Sequence, residues 1–257
     1  SARIINRFTN SRILIVLTSI LFIVSPCMLR KMYGHTALAG QWIILLALHT
    51  LFCYKEYAGC KRGYVIWALM GVLASSVHIY FILMCGIILL GHCVEDMISG
   101  KRVKRGLITL AIYLFCAGST VALLGGGKSG INIVARGFRE MSLNLNALFN
   151  PQGYSCILND LPLYGTEQYE GFVYLGAGGI LLLLALIILL PFCIKYKGIL
   201  SRYYSEIIGI ILVLSFALIT ALSPTVSAGS SVLFNFSLPG FIEKYWGAFR
   251  ATGRVGW

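Results

Sequence analysis

Residues 172–194, FVYLGAGGILLLLALIILLPFCI, carry no charged side chain and centre on the run LLLLALIILL. Hydrocarbon offers a backbone no hydrogen-bond partner, so a run like this is stable in a bilayer only as a self-bonded helix. About 20 such residues suffice to cross. Comparable apolar runs lie at 13–29, 36–53, 107–124 and 206–222. Across all 257 residues, 58% are hydrophobic and 12% charged, about half the charge of an ordinary soluble domain. Mean hydropathy is +0.83. One soluble core cannot absorb that much apolar surface, so the chain reads as an integral membrane protein.

Residues 64–92 are too long for one straight crossing, at about 43 Å against a hydrocarbon thickness of about 30 Å. Their middle, Ala74-Ser75-Ser76-Val77-His78, is small and polar. Two short helices, 64–75 and 78–92, meeting in a tight bend are predicted, as broken helices lining protein rather than lipid. Basic residues support this. With a hairpin at 64–92, the N-terminus (Arg3, Arg7, Arg12), 54–63 (Lys55, Lys61, Arg62), 93–106 (Lys101, Arg102, Lys104, Arg105) and 195–203 (Lys195, Lys197, Arg202) share one side. That side is the cytoplasm by the positive-inside rule. The loop 125–171 and the tail 223–257 then lie outside. The expected fold is all-α: a single transmembrane domain, 1–257, of about seven membrane helices, two of them short, under an outer cap. The net charge of +12 is spread over these loops, which argues against nucleic acid as a partner and for the lipid bilayer.

Seven of eight cysteines (Cys27, Cys53, Cys60, Cys85, Cys93, Cys116, Cys193) lie in or beside apolar runs, and Cys156 alone lies in the polar loop. Without a C-x-x-C pair they read as apolar packers, not zinc ligands or a disulfide framework. The stretch ALLGGGKS (122–129) has the loose form of a phosphate loop, but such a loop needs a strand before it and a helix after it. Here its glycines are expected to end a membrane helix.

The longest polar interruption, 144–176, holds Asp160, Glu167 and Glu170 among tyrosines. The outer face also receives Glu140, Glu243, His35, His78 and an aromatic set (Tyr33, Tyr154, Tyr164, Tyr169, Phe172, Tyr174, Trp246). Carboxylates serve as general bases or metal ligands, and exposed rings suit a sugar. Trp and Tyr also gather at membrane interfaces for packing reasons alone. Arg250 and Arg254, four apart, would share a helix face and could grip a phosphate or tie the tail to lipid headgroups. His49 and His92 fall in the cytoplasmic half. No metal-ligand spacing is present, and a divalent cation beside the outer acids stays an open expectation.

The stretches SPCMLRKMYGH, TALAGQWIILLAL, HIYF (78–81), NLNALFNPQG, YEGFVYLGAGG and FRATGRVGW resemble an uncharacterised family of bacterial multi-pass proteins, domain of unknown function 6311. That family is similar to the GT-C class of membrane glycosyltransferases. The likeness runs along nearly the whole chain, with YEGF-YLG and FRA-GR its most specific parts. It implies transfer of a sugar from a polyprenyl-phosphate-linked donor to a cell-envelope acceptor at the outer face of the bacterial cytoplasmic (inner) membrane. Under it, Glu170 and Asp160 are expected to do acid/base or metal work. His35, His78, Tyr80 and Tyr169 would contact donor or acceptor, and Arg250 and Arg254 would neutralise phosphate. GT-C enzymes usually carry an acid in the first outer loop, whereas RKMYGH has none. The chain is therefore expected to be a fragment of a longer protein; otherwise the activity does not carry over. A transporter or flippase for a lipid-linked glycan and a non-catalytic assembly subunit are the alternatives.

Overall fold

The computed structural model describes residues 1–57, 60–100, 102–126, 137–194 and 204–256. The ALLGGGKS lysine and serine, and the basic residues Lys101, Lys195, Lys197 and Arg202, lie outside the described residues. In chain order the helices are α1 (Ala2–Asn6), α2 (Arg12–Ile23), α3 (Pro26–Gly34), α4 (Trp42–Phe52), α5 (Tyr54–Tyr57), α6 (Lys61–Val77), α7 (Ile79–Gly100), α8 (Val103–Leu123), α9 (Gly176–Ile194), α10 (Tyr204–Leu222) and α11 (Gly240–Trp246). Short 3-10 helices span Thr36–Ala39, Thr166–Gly171 and Thr252–Gly256, and two strands, β1 (Thr225–Ala228) and β2 (Ser231–Asn235), pair antiparallel. The fold is thus predominantly helical but not all-α. TVSA and SVLFN, β-branched and aromatic around Gly229-Ser230, make a hairpin in the outer tail of a fold expected to be all-α.

The count of about seven spans also needs correction. Among the described residues α7, α8 and α10 are long and apolar enough to cross a membrane, and α2 with α3 makes a fourth only if that pair, bent by 45°, is one span. The run 13–29 breaks because Pro26 has no N–H to donate and starts a new helix rather than continuing one. The run 36–53 loses its start to a 3-10 turn, leaving α4 with 11 residues, about 16 Å of helix. In 172–194 the first four residues lie outside any helix, and α9 begins at Gly176 with φ +78°.

By its contacts the chain divides into two compact units. The first comprises the described residues of 1–24, 28–129 and 203–215. Within it α6 and α7 turn back on each other at His78, which is extended (φ −165°, ψ 140°), and the Trp67 and His92 rings lie 6.0 Å apart. The arms run further than 64–75 and 78–92, and α7 is long enough to cross by itself. Consequently Glu95 and Asp96 are helical and buried rather than in a loop. Along α8, Tyr113 meets Trp67 edge-on at 5.9 Å and donates its hydroxyl to Ile82 O at 2.7 Å. α8 ends in a Schellman-type turn, with Gly126 N–H on Val121 O (2.9 Å) and Gly125 at φ +84°, the terminating role expected of those glycines.

The second unit comprises the described residues of 25–27, 130–202 and 216–257. α10 stops where Ser223 takes φ +64° and Pro224 removes a donor. Residues 141–145 run beside this end: Leu143 N–H donates to Ala221 O (2.8 Å) and Leu145 N–H to Ser227 O (3.0 Å).

In the first unit α7 and α10 touch backbone to backbone. A methyl on Gly91 would sit 2.5 Å from Val213 Cγ2 and 2.9 Å from Gly209 O, whereas one on Gly118 meets nothing within 4 Å. Gly91→Ala is therefore expected to destabilise by about 1–3 kcal/mol, and Gly118→Ala to stabilise by up to about 1 kcal/mol through helix propensity. Thermal melts of the detergent-solubilised variants check the pair; equal shifts would show that the contact is not tight.

Candidate functional site

The second unit is built around glycine contacts that no larger residue permits. A Cβ on Gly253 would lie 2.6 Å from Gly171 Cα, and one on Gly171 would lie 2.5 Å from Ser142 O. Gly253 N–H donates to Met141 O at 3.0 Å. These contacts bring the two 3-10 helices, Thr166–Gly171 and Thr252–Gly256, together with segment 141–143. Glu170 and Arg254 then meet as a two-bond fork: Nε donates to Oε2 at 3.0 Å and Nη2 to Oε1 at 2.7 Å. Glu170 is 3% exposed. Such a fork neutralises both charges and fixes both rotamers.

Beside the fork lies a buried amide network. Asn144 Nδ2 donates to Gln168 Oε1 (2.9 Å) and to Gly229 O (2.9 Å), and its Oδ1 accepts from Gly229 N–H (3.0 Å). Gln168 Nε2 donates to Ser227 Oγ (2.6 Å) and Ser142 Oγ (3.3 Å), while its Oε1 also accepts from Tyr164 N–H (3.0 Å). Side-chain amides here stand in for a missing ladder, satisfying loop backbone that would otherwise be buried unpaired. Asn150 does the same for Leu161, accepting its N–H at 3.0 Å and donating to its carbonyl at 2.8 Å.

The residues expected to act are distributed as follows. Glu170 and Arg254 are joined to each other. Asp160 is exposed, with Oδ1 accepting from Gly153 N–H at 2.8 Å. Tyr169 is exposed, as are Tyr154 and Tyr164, but Phe172 and Tyr174 are buried and contribute no surface ring. Arg250 is exposed and precedes the 3-10 helix that carries Arg254, so the shared α-helical face expected for the two arginines does not form. His35, exposed, and His78 and Tyr80 belong to the first unit. There His78 caps α7, its Nδ1 accepting from Tyr80 N–H at 3.3 Å, with the two rings 5.2 Å apart. No group of three or more His, Cys, Asp or Glu able to hold a metal occurs among the described residues.

Sequence reasoning passed over a second polar centre, in the first unit. Arg105, expected in a solvated basic loop, is buried. Its Nε is 3.5 Å from Asp96 Oδ2, and Nη2 donates to the carbonyls of Tyr57 and Cys60. Its guanidinium lies 5.6 Å from the Tyr64 ring centroid. Nearby the Tyr57 hydroxyl and His49 Nδ1 are 3.0 Å apart. Burial, reinforced by Glu56, pushes the Tyr57 phenol above its ordinary pKa. The available signal was Asp96 and Arg105 as opposite charges flanking one short helix break. For the amide network it was three asparagines in NLNALFN, a residue type that bonds loop backbone.

Removing one partner of a buried fork strands the other charge. Arg254→Ala is expected to cost about 3–5 kcal/mol, and Glu170→Gln with Arg254→Met to recover most of that loss. Melting temperatures of the single and double variants in detergent check this; additive losses would mean that the two groups act independently.

No curated protein and no solved structure matches the chain. Residues 1–257 match a family profile described as a domain of unknown function, DUF6311. A match over every residue places the chain in that family: it belongs to the DUF6311 domains of unknown function.

Proposed function

We propose that the chain is the membrane part of an enzyme that transfers a sugar from a polyprenyl-phosphate donor to a cell-envelope acceptor, at the outer face of a bacterial cytoplasmic membrane with loop 125–171 extracytoplasmic. The supporting observation is how the second unit is mounted. Within it, residues 137–175 run directly into α9 at Gly176 and residues 223–256 follow directly on α10, and these segments are braced by the Glu170–Arg254 fork and the Asn144–Gln168 network. The same frame carries the exposed Asp160, Tyr154, Tyr164, Tyr169 and Arg250.

The fork changes the roles first assigned. Glu170, paired with Arg254, positions the cap and is not a free base. Asp160 takes the proton of the acceptor hydroxyl. The acceptor oxygen bonds to the sugar C1 as the C1–O–phosphate bond breaks, and the polyprenyl phosphate leaves with the bonding pair. Arg250 offsets the charge that develops on it, and Tyr169 offers a ring face to the sugar. His35, His78 and Tyr80 enter no step.

A lipid-linked glycan transporter is the second reading. Buried His92, Glu95, Asp96 and Arg105 favour it, because ionisable groups packed inside membrane helices mark transport paths by default.

The full-length protein in nanodiscs, given a polyprenyl-phosphate sugar and an acceptor glycan, separates the two. Asp160→Asn keeps an oxygen for Gly153 and removes the base, so turnover is expected to fall about 100-fold at unchanged melting temperature. Wild-type turnover in that variant refutes the role of Asp160. Movement of the donor across vesicles without sugar transfer would replace this function with the second.

A further inference from the structure

α10 is 19 residues long with mean hydropathy 2.3. At 1.5 Å per residue it measures about 28 Å, against a hydrocarbon thickness of about 30 Å. A helix of this length that crosses a bilayer reaches from one edge of the hydrocarbon to the other, which would put Leu222 at one edge. The chain beyond does not simply leave for water. Pro224 O accepts the N–H of Phe236 at 3.0 Å, and Val226 of β1 is paired with Phe234 of β2. The returning strand thus brings Phe234 and Phe236 back to the level of residues 224–226, within about 14 Å of the end of α10 at 3.4 Å per residue. The far end of the hairpin points elsewhere: Gly229 lies against Pro162, 3.7 Å from its Cγ to an added Cβ.

The rings of Phe234 and Phe236 stack at 6.0 Å and 16° and are 58% and 55% exposed. A few residues on, α11 presents Phe241 and Tyr245, one helical turn apart and each 68% exposed, with the exposed Lys244 beside them. Arg139 holds the two pieces to one another. It donates to Asn235 Oδ1 and Phe236 O, both at 3.0 Å, and to Glu243 Oε1 at 3.0 Å and 3.3 Å. It does so from a left-handed backbone conformation, φ +78°, which a non-glycine residue adopts only where its surroundings impose it.

Four large rings displayed on a braced edge, at the level where a membrane helix ends, have a defined environment. Aromatic side chains are stabilised at the headgroup–acyl boundary, with a neighbouring lysine reaching the phosphates. We propose that Phe234, Phe236, Phe241 and Tyr245 form a lipid-interface anchor, seated in the leaflet at the C-terminal end of α10, with Lys244 against lipid phosphate. The occupant is the bilayer because Phe234 and Phe236 are tied by strand pairing to the end of α10, and Arg139 holds α11 with its Phe241 and Tyr245 to them. The anchor requires only that α10 crosses the membrane and is independent of any chemistry at Asp160.

Para-fluorophenylalanine placed singly at 234, 236, 241 or, as a comparison near the far end of the hairpin, at Tyr164 perturbs the fold little. The full chain is placed in phosphatidylethanolamine–phosphatidylglycerol nanodiscs, and fluorine relaxation is read with a lipid carrying a headgroup-proximal spin label or with a water-soluble gadolinium chelate. Several-fold stronger broadening by the lipid label at 234, 236 and 241 than at 164, with the reverse order for the chelate, is expected. Strong broadening by the chelate at all four positions overturns the proposal by showing the rings in water. Protection of 234, 236 and 241 from both agents also overturns it, because protein would then cover them.

Discussion

A peptide group shielded from water has no solvent to bond, and each part of this chain meets that constraint in its own way. Within the long apolar helices the interior N–H groups bond inside their own segment. Where the chain leaves the helices, at Leu123 and Leu222, left-handed residues and Pro224 end the ladder cleanly. The second unit has little regular secondary structure between 137 and 175. It satisfies its buried backbone with the amides of Asn144, Gln168 and Asn150. Loops of this kind normally lie on a surface because their backbone cannot be buried unpaired; these side chains let the cap have an interior.

Ion pairs join positions mostly far apart in the chain, Asp96 and Arg105 excepted. Arg7 meets Glu206, Asp96 meets Arg105, Arg139 meets Glu243 and Arg254 meets Glu170. Most of these partners are buried or half-buried. A buried pair adds little to stability against an apolar replacement but penalises any arrangement that separates its members. Their value here is positional: the fork sets two 3-10 helices, and Arg139 sets a hairpin against a helix. Glu170 and Arg254 are engaged with each other in this bracing, and Asp160 and Arg250 are the charged groups of that set on the surface.

Membrane character, the helix-ending role of Gly125-Gly126 and the break at His78 were legible because each rests on local composition or backbone chemistry. Helix count was less so. Apolar residues continue through Pro26 and through Phe172–Leu175, but the helix does not, because hydropathy registers side chains and ignores a missing N–H or a positive φ. The hairpin of residues 225–235 was masked by its place in a polar tail, although its alternating β-branched and aromatic residues were there to be read.

The sequence by itself determined that the chain is apolar enough for a bilayer, where its helices are interrupted at His78 and Gly125-Gly126 and where charge collects, since those properties follow from each residue's own transfer energy and backbone preference. Only the tertiary structure decided what each polar group does. Glu170 and Asp160 lie ten positions apart and look alike in the sequence. One is buried against Arg254 and the other caps a turn at the surface, because glycines at 171 and 253 let two backbones approach closely enough to close the fork. The same holds for the rings: Phe172 fills the interior and Phe236 faces outward. Burial of a side chain depends on what packs over it, and that is a property of the whole chain.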